Sequence, residues 1–348
     1  MSDLIRSPVQ LNGEGRNHFL DSLKGICIIL VIICHYDWTA SQRLYMLFPF
    51  IVNMAVPVFM IISGYVYYLS YQKNNITTFE ESWSINFILP KIIRYTIPFL
   101  MAMCVDFVCR IILGKLSPSF IVDVLRGGSG PGSYYYPIMI QFIFMYPLIY
   151  FFVKKYGIKG FALCFLINAC YELFQRLYFV GDGCYRLLVF RYISVIAFGS
   201  FLASNHKQQL KPLFYFFSFV IGTSFIILTS YTAYSPKIII YWTGTCFLAT
   251  LYILPVSLIL IEKCKNVRLR PFEYIGKASF NIFFTQMLYF YYFAQMRRKI
   301  FERVEDLYLS IALQNILNIV VCVILGLVFY EIERRITKKI LNLLDFRK

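Results

Sequence analysis

The chain has 348 residues, 59% of them hydrophobic and only 15% charged, with 34 Lys and Arg against 18 Asp and Glu and a formal net charge of +16. Soluble domains carry about 25% charged residues, so the composition excludes an ordinary soluble enzyme and predicts an all-α, polytopic membrane protein. The basic residues are split among many short connections, which speaks for membrane topology and anionic-lipid contact rather than nucleic acid, and ten scattered Cys without CxxC spacing speak against a metal centre.

About ten apolar runs are long enough to span a bilayer, near 23–41, 46–70, 92–113, 134–153, 158–180, 186–203, 212–231, 238–261, 275–295 and 308–330. Residues 1–19 form a polar head without signal-peptide character, and 331–348 a basic tail; between them lies a single membrane domain covering 1–348. With a cytoplasmic N-terminus, most of the Lys and Arg fall on the inner side, which predicts N-in and C-in. The exception is Arg297-Arg298-Lys299, which falls outside, offset by Glu302, Glu305 and Asp306.

The first span places Lys24 at its edge and His35 eleven residues on, ~16 Å further along one helix. An ionisable group at that depth is costly and marks a functional position, unless a neighbouring helix or water satisfies it. Asp37 follows closely. In the second span, Pro57 predicts a kinked helix beside a cavity, and Ser63-Gly64-Tyr65 suits packing or hydrogen bonding better than nucleophilic attack, since no adjacent base is visible.

At the start of the third span, Lys91 and Arg94 lie one turn apart behind Pro90, which is compatible with a helix N-terminus. Two cations on one face at an inner boundary suit a polyanion such as a nucleotide phosphate, and equally suit snorkelling. Deeper in that span Asp106 and Arg110 are four residues apart and able to pair; Glu172 and Arg176 repeat the spacing in the fifth span, and Arg191 lies in the sixth. Such groups either lock helix register or converge on a polar cavity open to the outer side. Gly127–Gly132 reads as a flexible outer loop, and Ser133-Tyr134-Tyr135-Tyr136 behind it as an aromatic belt or a sugar contact.

Taken together, these residues resemble the acyltransferase-3 family, membrane enzymes that O-acetylate cell-surface glycans. The resemblance covers nearly the whole chain. It is carried by Arg16…Leu20-Asp21…Lys24-Gly25…His35, by Val56-Pro57-Val58-Phe59…Ser63-Gly64-Tyr65 and by Lys91-Ile-Ile-Arg94-Tyr95. Weaker landmarks follow at Arg191…Phe198-Gly199, Ile275-Gly276-Lys277-Ala278-Ser279-Phe280 and Tyr330-Glu331-Ile332-Glu333-Arg334. Two departures stand out: Lys91 replaces the first Arg of the family's third-helix element, and Gln286 stands where many members carry His.

The resemblance implies transfer of an acetyl group from acetyl-CoA to a sugar hydroxyl, on a cell-surface polysaccharide or a lipid-linked glycan, at a bacterial inner membrane and without a metal. Under that reading Lys24, Lys91 and Arg94 meet the CoA phosphates, His35 acts as general base oriented by Asp106 or Asp37, and Arg110, Glu172, Arg176 and Arg191 hold the acceptor. A transporter or flippase for a lipid-linked glycan is the competing class, since it too needs intramembrane charge and a wet cavity.

Overall fold

A computed structural model describes residues 18–178, 182–206, 210–232, 245–264, 266–301 and 304–344. The polar head up to residue 17, Lys207, Lys265, Glu302, the first part of the run at 238–261 and the last four residues of the tail lie outside the described residues, as do the side chains of Cys184, Arg297 and Arg298. The described chain is helical, with no strand among the described residues.

The apolar runs become α1 (His18–Cys34), α3 (Ala55–Lys73), α5 (Ile85–Ile112), α7 (Tyr135–Tyr156), α8 (Ile158–Tyr178), α10 (Ile193–Ala203), α11 (Pro212–Tyr231), α13 (Ile253–Lys263), α15 (Ser279–Phe301) and α16 (Leu307–Leu343). Short helices fill the connections: α2 (Ala40–Tyr45), α4 (Phe79–Ser82), α6 (Ser119–Leu125), α9 (Asp182–Leu187), α12 (Phe247–Thr250) and α14 (Arg270–Lys277). A 3-10 turn at Val189–Tyr192 leads into α10. Four segments, Phe79–Ile112, Tyr135–Tyr156, Pro212–Tyr231 and Leu307–Leu343, are long and apolar enough to cross a membrane. Their outward faces expose large apolar side chains, among them Leu100, Val108, Phe216, Phe217, Ile324 and Val328, as a lipid-facing surface does.

Several helix ends differ from the sequence expectation, each for a local reason. The first helix stops at Cys34, because the Trp38 indole donates to the Ile33 carbonyl (2.7 Å) and the His35 N–H turns back to Ile32 (3.2 Å). His35 is therefore the first residue beyond α1 rather than a mid-helix residue. Pro57 falls in the first turn of α3, where its missing N–H has no intrahelical partner to lose, so it starts the helix instead of kinking it. Pro90 does the reverse: α5 begins at Ile85, and Pro90 and Pro98 both lie inside it. The basic tail is no separate element, since α16 runs through it to Leu343, ~55 Å in all.

Two seams of close backbone contact hold the centre. A Cβ at Gly64 of α3 would collide with the Ile196 carbonyl of α10, and one at Gly199 of α10 with the Ile61 carbonyl of α3. The same reciprocity joins α1 and α14: Gly25 lies against the Phe272 carbonyl and Gly276 against the Asp21 carbonyl. Only glycine allows helices to approach this closely. The seams fix α1, α3 and α14 around one space.

Candidate active site

That space is a cavity of about 240 Å³ lined by residues from α1, α3, α5, α7, α14 and α15. Lys24, Asp21 and Lys277 stand at one end, Ser63, Tyr67 and Tyr95 along the side, and Ile28, Val31, Val56, Phe59 and Phe283 further in. From Asp21 to Val31 it extends ~15 Å along α1, and Val31 is one helical turn short of His35. The inner part is apolar, so it accepts an uncharged chain and penalises a buried ion.

Charge at the mouth is set by a small ion-pair group. Lys24 lies 3.4 Å from Asp21. Lys277 donates to Glu273 Oε1 at 2.6 Å, the Arg268 Nε donates to Oε2 at 3.0 Å, and His18 Nδ1 stands 2.9 Å from Oε1. The Lys277 ammonium, then His18 and Arg268, hold the Glu273 carboxyl down at about 2. Lys277 is a mouth residue that sequence reasoning passed over as one landmark among several; its place directly after Gly276, which the α1 contact demands, was the available signal.

A second cavity of about 920 Å³ adjoins the first, sharing Tyr95, Lys277 and Phe280 with it. It is lined further by Arg94 of α5, Asn281 of α15, and Tyr330, Glu333, Arg334, Thr337, Lys338, Leu341 and Asn342 of α16. Asn281 and Thr337 both donate to the Glu333 carboxylate.

The predicted cation pair is divided. Arg94 opens into the second cavity, whereas the Lys91 ammonium lies in an aromatic cage, 3.0 Å from the Phe87 ring centre, 4.5 Å from Tyr71 and 5.6 Å from Tyr67. Ring faces replace phosphate as its neighbours. Sequence spacing put the two on one face; the aromatic residues that draw Lys91 aside come partly from α3, which spacing within α5 does not reveal.

His35 is half-buried, with the Phe290 ring edge-on at 5.9 Å. Among the described residues no hydrogen bond links it to Asp106. The Asp106 carboxylate is instead held by Arg110 (3.4 Å), Ser129 (3.1 Å) and the Tyr292 hydroxyl, and Arg110 reaches Asp123 (2.8 Å) and Ser129 as well. Asp37 is exposed.

The remaining charged residues do not converge on one cavity as expected. Glu172 accepts from the Tyr185 hydroxyl (2.8 Å) and the Phe247 N–H (3.2 Å) rather than pairing with Arg176, which is half-buried in the last turn of α8. Arg191 is buried, donates to Thr245 (2.9 Å) and has the Tyr185 and Tyr192 rings 4.8 and 4.6 Å away. Thus Asp106 and Arg110 form one group, Glu172 and Arg191 another, and neither lines the two cavities.

The glycine loop is not a loose outer flap. Ser129 is buried in the Asp106–Arg110 group, and Gly127, Gly128, Gly130 and Gly132 all adopt positive φ, which glycine alone tolerates without strain. A Cβ at Gly132 would lie 2.6 Å from the Phe283 ring, so the loop packs directly on a residue of the first cavity. Behind it Tyr135 lines that cavity, and Tyr136 stacks on Phe99 at 3.8 Å. Gln286 donates to the Pro131 carbonyl of this loop (3.3 Å).

No curated protein and no solved structure matches the chain. The family model of an acyltransferase domain (acyltransferase-3) matches residues 17–330, which takes in α1 through most of α16, both glycine seams and the first cavity, and the chain belongs to that family.

Proposed function

We propose that this acyltransferase moves an acetyl group from acetyl-CoA to a hydroxyl of a cell-surface polysaccharide or lipid-linked sugar. The observation that carries the reading is the first cavity, which is cationic at Lys24 and Lys277, apolar inside and ends one turn from His35. A pantetheine arm is a slender, uncharged chain and suits such a passage. Its thioester would stop next to His35, with the phosphates left at the cationic end.

In this reading a neutral His35 ring takes the proton of the acceptor hydroxyl as its oxygen attacks the thioester carbonyl. The carbon–sulfur bond breaks, the acetyl group passes to the sugar oxygen, and the proton moves on to the CoA thiolate. Electrons and protons balance, and no metal takes part. Asp106 keeps the α5 end in register through Arg110, Ser129 and Tyr292 rather than touching the ring. In this reading Arg110, Glu172, Arg176 and Arg191 remain the candidate contacts of a hydroxyl-rich acceptor, Arg110 beside Asp106, Glu172 and Arg191 around Tyr185, and Arg176 apart from both.

The four long apolar helices and the apolar outer surface support a membrane protein, and the reading places it in a bacterial plasma membrane with ten spans and both termini inside. The test is proton NMR of surface polysaccharide from cells carrying the wild-type protein or His35→Ala at equal membrane abundance. Loss of O-acetyl signals with His35→Ala is expected. Unchanged acetylation would remove His35 from the mechanism and return a transporter to consideration.

A further inference from the structure

The larger cavity is not needed to explain transfer of the acyl group, yet it shares Tyr95, Lys277 and Phe280 with the passage that does. It brings together four cations from three helices, Arg94 of α5, Lys277 of α14 and Arg334 and Lys338 of α16, against the single carboxylate of Glu333. That carboxylate already accepts from Asn281 and Thr337. Tyr95, Phe280 and Tyr330 supply aromatic wall, and the volume of about 920 Å³ lies in the range of nucleotide-sized sites, roughly 300–1,000 Å³. Cations beside aromatic faces suit a phosphorylated purine nucleotide, the one binding the phosphates and the other the base.

We propose that this cavity seats the adenosine 3′,5′-bisphosphate portion of the donor, with Arg94 and Lys277 at the diphosphate and Arg334 and Lys338 reading the 3′-phosphate. The inference rests on the acyl-CoA reading given above. The assignment follows from connectivity. In CoA the diphosphate joins directly to the pantetheine arm, so it belongs at the junction of the two cavities, where Lys277 and Tyr95 border both. The adenosine end then extends toward α16. Arg334 lines the cavity with one arm placed by Glu331 at 2.9 Å.

Binding of CoA and of 3′-dephospho-CoA to the full-length protein in phosphatidylcholine nanodiscs, by calorimetry, tests the proposal without any acceptor. The wild type is expected to prefer CoA by about tenfold or more, the usual weight of a charge-assisted contact. Arg334→Gln with Lys338→Gln should bind both alike, at the weaker level. Arg335→Gln with Lys339→Gln removes the same charge from the same helix outside the cavity and should keep the preference. Equal wild-type binding of the two ligands, or a preference that survives Arg334→Gln with Lys338→Gln, overturns the 3′-phosphate assignment while leaving the acyl-CoA reading intact. Wild-type protein that binds neither overturns both. Loss of the CoA preference when phosphatidylglycerol is added would give the cavity to a lipid headgroup instead, and also overturns the proposal.

Discussion

At the scale of single residues, the Asp106–Arg110 pair has the sharpest energetic consequence. Both are buried, and each completes the other: without Arg110 the Asp106 carboxylate keeps only two hydroxyl donors, Ser129 and Tyr292. Removing one partner of a buried ion pair costs about 3–5 kcal/mol, whereas removing both is often neutral. Arg110→Met should therefore lower the thermal unfolding midpoint in detergent markedly, and Arg110→Met with Asp106→Asn should recover most of the loss. If the double variant unfolds as early as the single one, the pair is not what stabilises this end of α5. The pairing itself was legible, since residues four apart share a helix face. Ser129 and Tyr292 were not, being 23 and 186 residues from Asp106 along the chain.

At the scale of helices, α14 docked on α1 shapes the mouth of the first cavity. Glu273 is held at about 2 against an ordinary value of 4.5. A depressed carboxyl stabilises the fold fully above its ordinary value, and that contribution fades as pH falls through the folded one. Acid unfolding should therefore show a loss of stability between pH 4.5 and about 2 that Glu273→Gln lacks; identical acid profiles for the two proteins would refute the linkage. The glycine seam gives a second expectation. Gly276→Ala drives a methyl into the Asp21 carbonyl, an overpacking worth about 1–3 kcal/mol, and because Lys24 and Lys277 flank this contact it should also weaken CoA binding. A variant with wild-type unfolding temperature and CoA affinity would show that the helices part without cost.

The helical character of the chain was legible from the apolar runs, because length and hydrophobicity are local. Helix ends were not. The stop at Cys34 depends on a cap from Trp38, and α5 starts early, directly behind the short α4, details that no periodicity carries. In the site, His35 and Lys24 were legible as chemically unusual positions, whereas the cage around Lys91 and the role of Lys277 at both cavities depend on helices brought together only by packing.

At the scale of the whole molecule, α5 links two ends of different character. Arg94, in the larger cavity, and Arg110, under the glycine loop, lie ~24 Å apart along it. At ~55 Å, α16 exceeds the ~30 Å of a bilayer core, and the proposed topology puts its charged last turns, with Arg334 and Lys338, on the water side. The proposed topology puts both termini inside, so reporters fused before residue 18 and after residue 344 should both report a cytoplasmic location; opposite readings would overturn that topology and require an odd number of spans.

The glycine loop enters from the Arg110 end and stops against Phe283, whose ring borders the cavity that opens at the Lys24 end. Along that line the Phe283 ring separates the loop from the cavity. In the proposed orientation, a transmembrane voltage would be concentrated across this septum instead of being spread through the full bilayer thickness. A unit charge crossing it would then feel most of the potential, about 2.3 kcal/mol per 100 mV, over a few ångströms. An acetyl group handed across carries no charge and escapes that cost. Turnover in proteoliposomes should accordingly be insensitive to an imposed voltage, while substitutions that thin the septum, such as Phe283→Ala, should appear first as a proton leak.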